Sequence, residues 1–175
     1  MNITEIKDRL LRLDEDAELT FSETHEFKCY IVGGGALILL GYIIRGTHDL
    51  DILELTPKKL ASLFEKYDMN TNVTSYYDCF PQGFEDRSVL IDLPTNMIKF
   101  YVLSLEDLVI SKLCTTRGEQ DIVDINTETV VNNIDWDILS QLANSMKFTM
   151  MSSTAYENFK YNYDDYVRRN KLWDS

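Results

Sequence analysis

Residues 30–53 read YIVGGGALILLGYIIRGTHDLDIL. A short apolar strand runs into three glycines, Gly33, Gly34 and Gly35. A very apolar helix follows, then Arg45-x-Thr47-x-Asp49-x-Asp51. Glycines at the start of a helix let backbone N–H groups approach a phosphate closely. Carboxylates at i and i+2 of a strand share one face, where their oxygens suit Mg2+ or Mn2+. Two like charges on an otherwise apolar strand repel, and a bound cation relieves that repulsion. Phosphate and metal together point to chemistry on a nucleotide. Each half is weak alone. The triplet does not complete G-x-G-x-x-G, because Ile38 stands where the third glycine would be, and no GK[ST] follows. A tight strand-to-helix turn and a pair of solvated edge aspartates are the plain alternatives.

Several function classes are disfavoured by composition. The chain has 175 residues, enough for one domain with a substantial core. Its net charge of −12 argues against generic nucleic-acid binding. A nucleotide that arrives with Mg2+ is still compatible. Three scattered cysteines form no CxxC pair, and two histidines leave little material for a His-based triad or a zinc site. The longest apolar run, 36–44, is too short to span a bilayer, so no membrane role is expected. The first residues show no apolar signal segment, which makes the cytoplasm the expected compartment.

The elements that must position these residues can be read from periodicity. Asn2 caps a helix over 3–18, with Ile3, Ile6, Leu10, Leu13 and Ala17 at helical spacing. Residues 27–32 predict a strand, 36–44 a buried helix, and 48–53 a strand with Asp49 and Asp51 on one face. Thr56-Pro57 starts a helix that runs to about Tyr67. Residues 70–88 read as a strand-poor connection. Strands at 89–93 and 98–103 flank the Pro94-Thr95-Asn96 turn. Ser104 caps a helix over 105–117, with Asp107 at the third position of a capping box. A helix follows Gly118, another runs from Asp135-Trp136 to about 147, and a Tyr-rich helix covers 153–173. The expected fold is α/β (α+β), a mixed sheet flanked by helices. A core over 1–130 would carry a helical C-terminal extension, 131–175, packed on it.

Lys112 falls on the apolar stripe Leu105, Leu108, Val109, Lys112, Leu113 and Thr116. A lysine there either snorkels outward or meets an anion. The anion would be a phosphate, Asp121 or Asp124. Arg117, Asp121 and Asp124 recur at i, i+4 and i+7, which a solvated ion-pair face would also explain. Arg45 could meet a phosphate or simply neutralise the two aspartates, and Arg87 is similar. The stripe Tyr156, Phe159, Tyr163, Tyr166 most often packs on its own domain; a partner protein or a second copy of the chain is the other reading.

Segment 31–53 resembles the nucleotidyltransferase superfamily, whose signature is a Gly-Gly or Gly-Ser turn, a helix, then two aspartates alternating with apolar residues. Phe80–Arg87 (FPQGFEDR), Tyr101–Lys112 (YVLSLEDLVISK) and Arg117-x-x-x-Asp121-x-x-Asp124 extend the likeness. Together they resemble an uncharacterised bacterial nucleotidyltransferase-like group related to the AbiEii abortive-infection toxins, over about residues 27–130. The resemblance implies transfer of a nucleotidyl group from an NTP to an acceptor hydroxyl. Gly33, Gly34 and Gly35 would hold the triphosphate, with Arg45, Thr47 and Arg117 near it. Asp49 and Asp51 would be Mg2+ or Mn2+ ligands, and Lys112 a phosphate contact. It also implies a toxin with a cognate antitoxin, and an acceptor that is RNA, protein or a small molecule. Active members usually carry a third carboxylate on a later strand. Asp92 is the candidate here, with Asp78 and Asp86 behind it. If none fits, the chain is a two-carboxylate enzyme or a degenerate module that binds a nucleotide or a protein partner.

Overall fold

The computed structural model describes residues 1–21, 26–53, 60–115 and 118–171. These residues form a mixed α/β fold with one five-stranded mixed sheet and a helical C-terminal part. They divide into two compact units. The first holds residues 1–75 and 87–103, the second 76–86 and 104–175.

The first unit is built on the sheet. Helix α1 (Ile3–Thr20) starts with a reciprocal cap: Glu5 N–H donates to Asn2 Oδ1 at 3.0 Å, and Asn2 N–H donates to Glu5 Oε2 at 2.7 Å. Strands β1 (Phe27–Val32), β2 (Leu50–Leu53), β3 (Met69–Asn70), β4 (Val89–Leu90) and β5 (Ile98–Val102) lie in the order β3-β2-β1-β5-β4. Central β1 pairs antiparallel with β2 and parallel with β5, and the outer pairs are β2–β3 parallel and β5–β4 antiparallel. The near-continuous burial of β1 fits its central place.

Helix α2 (Gly33–Leu39) begins on the glycines themselves and is shorter than the 36–44 expected. Gly41 at φ +80° ends it. Gly41 N–H donates to Ile38 O at 3.0 Å and Tyr42 N–H to Leu37 O at 2.9 Å. This is a Schellman cap, which satisfies the last carbonyls through a left-handed residue. Apolar residues continue beyond it, but the helix cannot: Ile43 is buried and Ile44 is exposed.

Helix α3 (Ala61–Lys66) buries Leu63 and Phe64, while the expected Thr56-Pro57 start lies outside the described residues. The stretch expected to be a connection carries β3, a 3₁₀ segment at 72–79 and the short helix α4 (Phe84–Arg87). Strand β4 covers only 89–90, although Ile91 N–H still bonds to Phe100 O at 2.8 Å.

Asp14, buried on α1, accepts three backbone N–H bonds at the entrance to β5. They come from Asn96 at 2.8 Å, Met97 at 3.0 Å and Ile98 at 2.6 Å. A buried carboxylate is tolerated when several donors converge on it.

The second unit surrounds α5 (Leu105–Cys114), which is buried from Leu105 through Leu113 and packs on α6 (Glu119–Ile125), α8 (Trp136–Thr149) and α9 (Ser153–Asn170). The apolar stripe expected there is therefore part of an all-round burial. Ser104 caps α5 as expected: Asp107 N–H donates to Ser104 Oγ at 3.1 Å. The helix stops at Cys114, three residues early. Helix α7 (Glu128–Asn133) is a short element that the periodicity did not resolve. Asp135 caps α8 by accepting from Asp137 and Ile138 N–H, each at 3.0 Å. In α9 Phe159 and Tyr166 are buried, and the Tyr166 hydroxyl donates to Ile125 O at 2.7 Å. That aromatic stripe packs within its own unit.

The cysteines are free thiols, and burial pushes the Cys29 thiol up. Among the described residues, no helix is long and apolar enough to cross a membrane.

Replacing Asp14 by alanine leaves three N–H donors at the β5 entrance without their acceptor. Urea unfolding should show a loss of about 2–4 kcal/mol. A loss within experimental error would mean that Asp14 does not hold α1 to the sheet.

Candidate functional site

The geometry around the glycines follows from strand register. Val32 pairs with Asp51, Ile31 with Ile52 and Tyr30 with Leu53. Asp51 thus sits opposite the last residue of β1, one residue before the chain turns into α2. Gly33 makes that turn at φ +66°, a left-handed conformation that side chains disfavour. A Cβ on Gly33 would overlap the Asp51 carboxylate. Glycine is therefore required here twice over, by backbone angle and by the close approach of Asp51.

The other carboxylate oxygen, Asp51 Oδ1, accepts from Asn70 Nδ2 at 2.7 Å. Asn70 is carried in by β3, whose register sets it against Asp51. The sequence offered one signal for this residue, a polar side chain next to a buried Met69, and it was too brief to read as a strand.

Arg45 reaches the same turn. Its Nη1 donates to Gly46 O at 2.9 Å, and its Nη2 lies so near Gly34 that a Cβ there would come within 2.7 Å. The Thr47 hydroxyl donates to Asp49 O at 3.0 Å, and its N–H donates to Met1 O at 3.0 Å. Thr47 shapes the loop that carries Asp49.

Asp49 is exposed and lies just ahead of β2, which begins at Leu50. The strand expected over 48–53 is shorter by two residues, so Asp51 alone of the pair has a fixed sheet register. Asp51, rather than Asp49, is the carboxylate against the glycines. Asp92 is exposed in the extended segment after β4. Among the described residues no three His, Cys, Asp or Glu side chains are grouped to hold a metal ion. Asp49, Asp51 and Asp92 therefore do not form a three-carboxylate set in this structure. Mg2+, however, is commonly held by one or two carboxylates together with substrate phosphates. The Asp51 carboxylate, beside a glycine turn that Arg45 also reaches, fits that manner of binding.

A family model described as "Nucleotidyltransferase of unknown function (DUF6036)" matches residues 8–171. The chain belongs to this family. No curated protein and no solved structure matches it. Membership in DUF6036 covers both compact units, so the helical part is as much a family feature as the sheet.

In this member of the DUF6036 family, the second unit gathers its own polar cluster. Lys112 is buried, and its Nζ pairs with Asp121 and, at 3.1 Å, with Asp124. Gln120 Nε2 donates to the other Asp124 oxygen at 3.0 Å. Of the sequence alternatives for Lys112, the carboxylate partners are the ones the structure shows. The residues read as an i, i+4, i+7 face meet around the lysine as a buried ion pair, except Arg117, which lies outside the described residues. Glu106, also buried, accepts from Asp135 N–H at 2.9 Å and ties α5 to the start of α8. Arg87 is half-buried at the end of α4. Asp78 is half-buried and Asp86 exposed.

Two substitutions test this geometry. Gly33→Ala should cost about 1–3 kcal/mol and, in NMR spectra, shift the Asn70 side-chain amide as Asp51 is displaced. An unchanged Asn70 signal would show that Asp51 does not approach the turn. Lys112→Met leaves Asp124 buried without its cation, and thermal or urea unfolding should register a loss of about 3 kcal/mol. A neutral result would place Lys112 outside the load of the helical unit.

Proposed function

We propose that this chain is an Mg2+-dependent nucleotidyltransferase that moves a nucleotidyl group from an NTP to an acceptor hydroxyl. The observation that carries this reading is the convergence at one bend of the glycine turn, the Asp51 carboxylate and the Arg45 guanidinium. Membership in a family described as nucleotidyltransferase supports it.

In this reading the backbone around Gly33–Gly35 and the Arg45 guanidinium receive the triphosphate. A side chain at Gly33 or Gly34 would block that approach. Asn70 holds the Asp51 carboxylate in one orientation by its bond to Oδ1, so Oδ2 stays aimed at the turn. Thr47 fixes the loop from which Asp49 projects. Asp49 and Asp51 would hold the metal, which when bound neutralises phosphate oxygens and favours the ionised acceptor hydroxyl. The acceptor oxygen forms a bond to the α-phosphorus, the bond to the bridging oxygen breaks, and pyrophosphate leaves. The likeness to AbiEii-type proteins supports a toxin role with a cognate antitoxin, acting on RNA, protein or a small molecule.

A second reading is favoured by one observation, the lack of a third grouped carboxylate among the described residues. On that reading the chain is a degenerate module that binds a nucleotide or a protein without transferring anything.

Incubation with each α-labelled NTP, Mg2+ and cell lysate separates the two. The wild type should label an acceptor, and Asp49→Ala/Asp51→Ala should lower labelling by about 100-fold or more. Nucleotide binding without transfer to any acceptor would favour the degenerate module and count against the enzyme.

A further inference from the structure

The FPQGFEDR stretch has no role in the nucleotide reading, yet it builds a pocket. Within the second unit, Tyr77, Asp78, Phe80–Glu85, Thr149 and Met151 line a cavity of about 370 Å³. That is near the small end of ligand-binding pockets, which run to roughly 300–1,000 Å³. Its wall is aromatic: Tyr77 stands edge-on to Phe84 at 6.0 Å, and Phe80 meets Phe84 at 6.1 Å. Gly83 at φ +74° makes the bend that turns Phe84 back onto Phe80.

Three features give this pocket a chemical preference. Asp78 and Glu85 put carboxylates on its lining, on a chain of net charge −12. Burial, and then the Glu85 charge, hold the Tyr77 phenol above its usual range, so the ring stays neutral with its π-face intact. Among the described residues, Thr149 Oγ1 is the buried side-chain oxygen or nitrogen that has no hydrogen-bond partner. An unsatisfied buried hydroxyl destabilises the fold unless something pairs with it.

Phosphates and other anions are repelled by such a lining. A planar organic cation meets every feature: faces for the aromatic rings, charge for the carboxylates, and N–H donors for Thr149. The rim adds a further constraint. Met151, on the lining, is 94% exposed. A free small cation leaves such an apolar side chain in water, whereas a polypeptide strand around the cation can cover it.

We propose that this pocket binds the guanidinium of an arginine side chain presented by a basic polypeptide partner. The site is independent of the nucleotide reading, and it assigns a role to the aromatic-Pro-x-Gly stretch. Tyr77, the exposed ring of the wall, stacks on the guanidinium, Glu85 and Asp78 balance its charge, and Thr149 Oγ1 accepts one N–H.

The test uses the full chain, isotopically labelled, with acetyl-Ala-Arg-Ala-amide as probe. Its citrulline counterpart is the neutral isostere, and agmatine stands for a free small cation. The arginine peptide should shift the Gly83 and Thr149 amide signals saturably. The citrulline peptide should bind at least about fivefold more weakly, as expected for loss of a charge over aromatic faces. Glu85→Gln and Asp78→Asn, each with the rest of its spectrum unchanged, should weaken the arginine peptide by about threefold. Thr149→Val should weaken binding while leaving thermal stability equal or higher, a split that a structural role for the hydroxyl would not give. Equal binding of the citrulline peptide, no saturable shift, or no effect of the carboxylate variants would overturn the proposal. So would agmatine binding more tightly than the peptide, since that outcome identifies the ligand as a free amine.

Discussion

The sheet unit depends on the antiparallel register that sets Val32 against Asp51. Strand side chains alternate, so a one-residue slip would send Asp51 to the other face and Leu50 and Ile52 out of the core. Both of those residues are fully buried, which fixes the register through apolar burial rather than through the aspartate itself. The core thus positions the carboxylate. Gly33 completes the constraint, because only a residue without Cβ can turn the chain there while Asp51 stays in contact. Arg45, Asn70 and the Thr47 loop are all arranged around that point.

The charge distribution in the helical unit follows a different logic. Lys112, Asp121, Asp124 and Gln120 satisfy one another at the buried end of α5. Breaking such a set exposes an uncompensated charge, so it binds α6 to α5 more by the penalty of disruption than by net attraction. Glu106 performs a related task at the other end of α5, and Asp107 with Ser104 closes its first turn. The acidity of the chain is therefore partly structural: these carboxylates are spent on backbone donors and on one lysine, and others remain on the surface.

Elements with local signals were legible in the sequence. Asn2, Ser104 with Asp107, and Asp135 each name a helix start through the geometry of the cap, and the structure places helices there. Strand β1 was legible because it is apolar but for Lys28 and ends at the glycines. What failed did so for physical reasons. Gly41 sits within an apolar run, and hydrophobicity outvoted the backbone angle that ends α2. Strand β3 and helix α7 are too short to show a period. Asn70 matters only through a partner nineteen positions earlier in the chain, a tertiary fact that spacing does not contain. The lysine on the α5 stripe was a true signal. Its resolution as an ion pair with Asp121 and Asp124 needed the packing of α6 on α5 to be seen.

The central claim is that Asp49 and Asp51 hold a metal–nucleotide complex against the glycine turn. Paramagnetic relaxation tests it most directly, with Mn2+ and a non-hydrolysable NTP added to labelled protein. Broadening should centre on the amides of Gly33–Gly35 and the Asn70 side chain, and should vanish in Asp49→Asn/Asp51→Asn. Broadening centred elsewhere, or unchanged in that variant, would contradict the assignment of the site.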